Sequence, residues 1–188
     1  YKITPAVFDS WARILKQVKD SVLTVFIDNE LSKTNLSKEI VLRGIDPSRL
    51  IFGDSLPRPE YLARYRVADL FLDTHPYNAG TTASDALRMG LPMITYIGKS
   101  YQARMGASIL NALNLSELIT NSPEDYELLA IELATNSKKF KIIKDKLASN
   151  LLTSPLYDTP MFTRNIESAY TTMYEKYRQK QKPDHIYV

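Results

Sequence analysis

Apolar positions along the chain alternate between helical spacing and short β-branched runs. Thr4 and Pro5 precede apolar residues spaced three and four apart, which predicts a first helix with Thr4 as its N-cap. Residues 21–27 form a short β-branched apolar run, which predicts a buried strand. The same alternation continues, with further strands predicted at 50–52, 69–73 and 91–96 and helices at 35–43, 60–67, 81–89 and 101–113.

Strands that alternate with helices through short loops favour a mostly parallel sheet with helices on both faces. From Ser122 onward the pattern is only helical, with helices predicted at 123–134, 137–150 and 159–179. We therefore predict one α/β domain over residues 1–188, with an α/β core at about 1–121 and a helical extension at about 122–188. The chain begins without Met, directly before its first helix, so we expect it to be a piece of a longer protein.

Composition excludes several classes of protein. The 188 residues are 44% hydrophobic and 24% charged, which is typical of a soluble globular domain. The absence of Cys rules out disulfides and thiolate chemistry, and two His residues leave little for a zinc site or a Ser-His-Asp triad. A net charge of +3 with interspersed signs does not indicate nucleic acid, and no apolar run approaches the roughly 20 residues of a membrane helix. We expect no nucleic-acid partner and no membrane insertion.

The richest candidate site lies between the strand that ends at Asp73 and the helix that follows it. In open parallel sheets ligands bind beyond the carboxyl ends of the strands. Gly80 permits close approach of the backbone, and Thr81 and Thr82 supply hydroxyls and free N–H groups at a helix start. This pattern is typical of a phosphate site. Asp85 lies one turn further on, where its carboxylate could accept a hydrogen bond from a ribose hydroxyl.

A structural interpretation of the same residues remains open, in which Thr81 only caps the helix and Asp85 is a surface charge. Other phosphate-binding and catalytic motifs are missing from the sequence. It contains no dinucleotide-binding Gly-x-Gly-x-x-Gly, no P-loop, no Gly-x-Ser-x-Gly elbow and no Asp-x-Asp pair. A nucleotide diphosphate held without a metal by helix amides, hydroxyls and cations is compatible with these absences.

Several segments resemble one known family. VADLFLDT (67–74), NAGTTASDAL (78–87), MGLPMIT (89–95) and KPDH (182–185) resemble the C-terminal catalytic lobe of the O-linked N-acetylglucosamine transferase and SPINDLY family, in its bacterial type. The similarity covers essentially the whole chain in the same order. It implies a Rossmann-like parallel sheet with helices on both faces, as the C-terminal lobe of a GT-B glycosyltransferase.

The resemblance also implies roles for individual residues. Lys2 falls at a lysine that contacts the donor diphosphate, where its cation would stabilise charge on the leaving nucleotide and so serve catalysis. Thr81 and Thr82 match threonines that hold the phosphates. Asp85 matches an aspartate that binds the ribose hydroxyls, in agreement with the argument from its position.

Further positions concern the base and the identity of the donor. Leu56 and Arg58 fall in a loop that frames base and ribose, and the transferase has a lysine in place of Arg58. Tyr61 stands where the animal transferase has a histidine near the base. Gly80 occupies another position that is histidine in the animal enzyme. The resemblance therefore favours UDP-GlcNAc and leaves GDP-fucose, associated with the SPINDLY branch, as an alternative donor.

The implied reaction is transfer of a sugar from the nucleotide-sugar donor to a Ser or Thr hydroxyl of an acceptor protein, with no metal and no other cofactor. The family's catalytic histidines belong to the other lobe, so the chain alone should bind donor weakly and transfer nothing. The N-terminal lobe and the tetratricopeptide (TPR) repeats of the parent chain are the expected partners, and the expected compartment is the cytoplasm. A nucleotide-sugar epimerase and a non-catalytic interaction module remain alternatives.

Overall fold

The computed structural model describes residues 2–188, in which strands and helices alternate as far as residue 120. The strands are β1 (Leu23–Phe26), β2 (Leu50–Gly53), β3 (Phe71–Leu72), β4 (Met93–Tyr96) and β5 (Ile119–Thr120). The α-helices are α1 (Pro5–Gln17), α2 (Glu30–Leu42), α3 (Arg58–Ala63), α4 (Thr81–Arg88), α5 (Met105–Ala112), α6 (Pro123–Thr135), α7 (Ser137–Leu151) and α8 (Thr159–Arg178). The alternation confirms the predicted α/β fold class.

All of the strand pairs in the described residues are parallel, but they form two hydrogen-bonded groups. β1 pairs with β2, with Leu23 opposite Leu50, and β4 lies between β3 and β5. The prediction of parallel strands is confirmed, whereas the single sheet is divided into a two-stranded and a three-stranded group. Strand β5 was not predicted, because two residues after a 3-10 turn at 116–118 are too short to show a strand period.

Capping residues decide where the first two helices begin and end. The Thr4 hydroxyl accepts from the backbone N–H of Val7 at 3.3 Å, as an N-cap should. Helix α2 starts at Glu30 rather than at the predicted residue 35, because the Asn29 side chain caps it. Its end at Leu42 lies one residue before the predicted end, and Gly44 follows with the predicted left-handed backbone, at a φ of 72°.

Two other helices begin at positions that matter for the site. Helix α3 starts at Arg58, two residues before the predicted start, and continues as a 3-10 turn over 64–67. Arg58 therefore belongs to the first turn of a helix, whereas the sequence suggested a loop. Helix α5 starts at Met105 after a 3-10 turn at 102–104, so the predicted helix from residue 101 is divided.

The hydrophobic core extends from the strands into helices of the C-terminal third. Helix α6 packs against β4 and α1 and buries Tyr126, Ala130 and Leu133. The indole N–H of Trp11 donates to the Tyr126 hydroxyl at 3.2 Å, which ties α1 to α6. Helix α8 differs from these, because none of its residues is buried. Among residues 2–188 no helix is long and apolar enough to cross a membrane.

Candidate functional site

The loop from β3 to α4 leaves the carboxyl end of β3 and reaches the N-terminus of α4 within eight residues. Gly80 occupies the N-cap of α4 and offers no side chain, so no side-chain hydrogen bond caps this helix. Thr81 and Thr82 form its first turn and are exposed. Helix amides without a cap and with exposed hydroxyls beside them suit an anion. The structural alternative, with Thr81 as the cap, is wrong, because Gly80 occupies that position.

Asp85 lies one turn further along α4 and forms the centre of a polar cluster. Its side chain is only 10% exposed and accepts two parallel hydrogen bonds from the Arg58 guanidinium, at 2.9 and 2.8 Å. The Tyr61 hydroxyl donates to the same carboxylate at 3.1 Å and lies 2.8 Å from the Tyr65 hydroxyl. Helix α3 and the 3-10 turn that follows it thus hold Asp85 in one orientation. It is a buried, paired carboxylate and not a solvated surface charge.

The cluster has a defined charge state at neutral pH. The hydrogen bonds that Arg58 donates to Asp85 raise the pKa of Arg58, which keeps the guanidinium charged. Burial raises the pKa of Tyr61, so its phenol stays neutral and acts as a donor. The Arg58 side chain is 61% exposed, and its carbon Cζ lies 5.2 Å from the centre of the Tyr61 ring. A cation and an aromatic ring therefore border the carboxylate on its open side.

Lys2 lies against the loop that leads to Gly80. Its Nζ donates to the backbone carbonyl of Asn78 at 3.1 Å and stands 4.4 Å from the centre of the Tyr77 ring. The Lys2 cation therefore contacts the loop at Asn78, two residues before Gly80 and the exposed first turn of α4. Leu56, the remaining predicted site residue, lies in the loop before α3 and is 43% exposed.

The structure therefore brings the predicted residues together in two groups that α4 joins. Asp85 with Arg58 and Tyr61 forms one group. Lys2 and the loop before Gly80 form the other, next to the first turn of α4. Leu56 stands apart, two residues before Arg58.

Sequence reasoning missed the buried group beneath this loop. Asp73 was interpreted as a marker of the strand end, yet it is only 3% exposed. Its Oδ1 accepts from the backbone N–H groups of Thr74 and Ala79 at 2.8 and 2.7 Å, and its Oδ2 accepts from the Thr95 hydroxyl at 2.7 Å. Burial raises the pKa of Asp73 to about 6. The available signal was a carboxylate at the carboxyl end of a short strand, directly before a long loop.

His75 lies in the same loop and has a structural environment. Its ring stacks on Tyr96 with 4.0 Å between centroids, and Nδ1 lies 3.2 Å from the Tyr96 carbonyl oxygen. Because a carbonyl only accepts, this nitrogen carries the proton. The structure therefore gives His75 the backbone-bonded loop position that is common for histidine.

Two negative observations complete the description of the site. Among residues 2–188 no group of three or more His, Asp or Glu side chains is placed to hold a metal ion. A surface groove of about 800 Å³ runs along α2 and is lined by Lys33, Val41 and Phe52 among others, but by no residue of α4. The candidate site is thus separate from that groove.

The fold and the site together define a Rossmann-like lobe of GT-B architecture, with the candidate site at the carboxyl end of its strands. The chain belongs to glycosyl transferase family 41, whose sequence model matches residues 1–166. The family resemblance predicted from the sequence is thereby confirmed.

Known relatives extend well beyond this chain. The probable UDP-N-acetylglucosamine–peptide N-acetylglucosaminyltransferase SEC of Arabidopsis thaliana is 33% identical over 189 residues, which are 100% of this chain and 19% of that protein. The probable UDP-N-acetylglucosamine–peptide N-acetylglucosaminyltransferase SPINDLY of Solanum lycopersicum is 35% identical over 184 residues, 94% of this chain and 19% of that protein. The chain therefore spans about a fifth of the length of these relatives.

A solved structure supports the architecture directly. A mutant O-GlcNAc transferase of Thermobaculum terrenum matches with a TM-score of 0.88 and 30% sequence identity. The match covers 95% of this chain and 35% of that protein chain. This agreement confirms the predicted C-terminal lobe of a GT-B fold.

Proposed function

We propose that this chain is the donor-binding half of a protein O-glycosyltransferase that moves N-acetylglucosamine from UDP-GlcNAc to Ser or Thr hydroxyls without a metal ion. One observation carries the proposal. Helix α4 presents an N-terminus without a side-chain cap and, one turn later, a carboxylate that Arg58 and Tyr61 hold in a single orientation. The two features lie about one turn, or roughly 5 Å, apart along the same helix, so one nucleotide can contact both.

The first turn of α4 is the proposed diphosphate site. Its amides and the hydroxyls of Thr81 and Thr82 can donate to phosphate oxygens, and the helix dipole favours an anion there by about 0.3 to 1 kcal/mol. Lys2 adds a cation on the neighbouring loop. Charge grows on the nucleotide as the sugar leaves, so these groups stabilise the transition state more than the bound donor.

Asp85 is the proposed ribose site. A carboxylate has about four lone-pair positions, and Arg58 and Tyr61 occupy three of them. The remaining position can accept from a ribose hydroxyl. Tyr61, and Leu56 in the loop before α3, are the residues that we propose to frame the base.

The base and sugar of the donor are proposed from the names of the relatives and from the space at Gly80. The relatives named above carry UDP-N-acetylglucosamine in their printed names, which supports the same donor here. Gly80 leaves open space before Thr81, since a Cβ added there would have only the Met105 side chain near it, at 3.8 Å. This position lacks the side chain that the animal enzyme carries, so GDP-fucose is the second candidate donor.

Titration of the chain with UDP-GlcNAc and with GDP-fucose, followed by NMR, tests the donor assignment. We expect weak binding with UDP-GlcNAc preferred. Asp85→Asn, Thr82→Val and Lys2→Met should each weaken binding by about 10- to 150-fold, which is the range for a lost charge-assisted hydrogen bond. The matched control is Asp125→Asn, an exposed carboxylate on α6, which should leave affinity unchanged.

The competing functions give different results. No binding of any nucleotide-sugar would favour a non-catalytic module. An epimerase would convert UDP-GlcNAc to another UDP-sugar without any acceptor protein, which NMR of the sugar detects directly. For transfer itself, we propose that the chain works together with an N-terminal lobe and a TPR region of its parent protein, as the resemblance implies.

A further inference from the structure

Asp73 occupies a central position under the proposed phosphate site. The loop 74–79 leaves β3 directly after this residue and ends one residue before Gly80. The same oxygen, Oδ1, accepts from the first and the last amide of the loop, those of Thr74 and Ala79. One carboxylate oxygen therefore joins the two ends of the segment that leads into α4.

The interior of the loop is held separately by Asn78, which is 2% exposed. Its amide nitrogen donates to the Thr74 carbonyl at 2.7 Å, and its side-chain oxygen accepts from the Gly106 N–H at 3.3 Å. Asn78 is also held by its backbone N–H, which donates to the Gln102 carbonyl at 3.0 Å, and by Lys2, which donates to its carbonyl. The amide of Ala79, the last of the loop, donates to Asp73, so Asp73 is the side chain that joins this end of the loop to its start.

Neighbouring elements hold the Asp73 carboxylate from the other side. Thr95 on β4 donates to Oδ2. Helix α5 packs against this carboxylate and against Thr95 at Gly106. A Cβ added to Gly106 would lie 2.5 Å from Oδ2 and 2.6 Å from the Thr95 hydroxyl oxygen, so the helix approaches too closely for a side chain. The Tyr126 hydroxyl of α6 donates to the Asp73 carbonyl at 3.0 Å.

Few charged groups act on this carboxylate. Lys2 is the cation whose charge lowers the pKa of Asp73, against the larger effect of burial. The Tyr126 phenol is neutral, because burial raises its pKa, and it contacts the backbone of Asp73 rather than the carboxylate. Asp73 has all of its acceptor contacts inside the protein, so it is not a group that touches the donor.

We propose that Asp73 is a positioning residue for the donor, whose Oδ1 fixes loop 74–79 so that the first turn of α4 is presented to the diphosphate. The proposal rests on the proposed function, since it concerns the same site. In this proposal the buried Asp73 sets the position of the exposed groups, Thr81 and Thr82, that contact the donor.

Two substitutions at Asp73 and one beside it test the proposal through the Kd for UDP-GlcNAc. Asp73→Asn keeps an oxygen in the Oδ1 position and can donate to the Thr95 hydroxyl, so affinity should stay within about threefold of wild type. Asp73→Ala removes the acceptor and should weaken binding by at least about tenfold. Thr95→Val is the matched control, because it breaks the Oδ2 contact and leaves both Oδ1 contacts in place. Its affinity should also stay within about threefold.

Thermal unfolding of each variant separates positioning from general stability. We expect Thr95→Val and Asp73→Ala both to lower Tm, while only Asp73→Ala loses donor affinity. Wild-type affinity in Asp73→Ala would overturn the proposal, and so would an equal loss in Thr95→Val. If the wild-type chain binds neither UDP-GlcNAc nor GDP-fucose, the proposed function fails as well, which is a different result from either of these.

A measurement without ligand keeps the proposal testable if Asp73→Ala does not fold. Backbone amide NMR of the chain that retains Asp73 between pH 4.5 and 8 should show Thr74, Ala79 and the first turn of α4 shifting with one common midpoint. Both chains carry His75→Gln in this measurement, because an ionisable imidazole in the same loop would also move these amides. The same amides in Asp73→Asn should then show no such transition. If the amide chemical shifts of α4 do not change as Asp73 titrates, the proposal is overturned, because the carboxylate then does not determine their environment.

Discussion

At the scale of single residues, Asp85 is the proposed ribose site, and its contacts decide how it could meet a ribose hydroxyl. Arg58 makes two hydrogen bonds to it and Tyr61 makes one, so the carboxylate is oriented before any ligand arrives. Because the carboxylate is oriented before binding, less conformational entropy is lost when a ligand binds. The same contacts also compete with the ligand for lone pairs, and the balance between the two effects can be measured.

Arg58→Ala tests that balance. Because the guanidinium is 61% exposed, its loss should lower Tm by no more than about 4 °C. Donor affinity should fall by about three- to tenfold as Asp85 loses its orientation, and Arg58→Lys should recover part of it through a single hydrogen bond. The measurement is the same NMR titration with UDP-GlcNAc. Tighter binding in Arg58→Ala would show instead that Arg58 blocks the carboxylate.

The pKa of Asp73 leads to a prediction about stability and pH. Its value of about 6 in the folded chain exceeds the value near 3.9 of an unfolded Asp. The folded state therefore binds more protons between these two values, so the free energy of unfolding falls as pH rises through this range. The contribution of Asp73 is on the order of 3 kcal/mol at most. Urea unfolding of wild type and Asp73→Asn at pH 4 to 7 measures it as the difference between the two curves. Parallel curves would contradict it.

At the scale of elements, the site depends on how closely α5 packs beneath α4. Patterning alone predicted α4 correctly, because Gly80 precedes two threonines and an apolar helical stripe that ends before Gly90. The starts of α3 and α5 were predicted less well, because α3 already includes Arg58 and Pro59 in its first turn, whereas a 3-10 turn at 102–104 precedes α5. No local signal in the sequence showed that Gly106 lies against a buried carboxylate.

Gly106→Ala should therefore destabilise the fold, although alanine is the better helix former. The added methyl would overlap Asp73 and Thr95, and overpacking of this kind costs about 1 to 3 kcal/mol. Ser108→Ala on the exposed face of the same helix is the matched control and should be neutral or slightly stabilising. Chemical denaturation of the two variants gives the comparison. Equal stability of Gly106→Ala and wild type would mean that α5 can move away from β4.

At the scale of the whole molecule, the proposed donor-binding groups cluster around α4, and none of them is suited to accept a proton from an acceptor hydroxyl. Asp85 is already bonded to Arg58 and Tyr61, and Lys2 is a cation whose Nζ donates to the Asn78 carbonyl. Chemistry on a Ser or Thr hydroxyl needs a general base within hydrogen-bond reach. We attribute that group to the other lobe.

The 188-residue chain should consequently bind UDP-GlcNAc and transfer no sugar. Incubation with labelled UDP-GlcNAc and a Ser- and Thr-rich peptide, followed by mass spectrometry of the peptide, measures this directly. Binding without transfer is the expected result. Robust glycosylation of the peptide by this chain alone would contradict it.

Local patterns in the sequence were sufficient for the α/β alternation, the parallel pairing, the family and the position of Thr81 and Thr82, because each depends on neighbouring residues or on ordered segments. Only the tertiary structure decided the partners of Asp85 and Asp73. Arg58 is 27 residues from Asp85, and Thr95 is 22 residues from Asp73. Hydrogen bonds across such separations form when different elements pack together, and no periodicity along the chain encodes which buried donor meets which carboxylate.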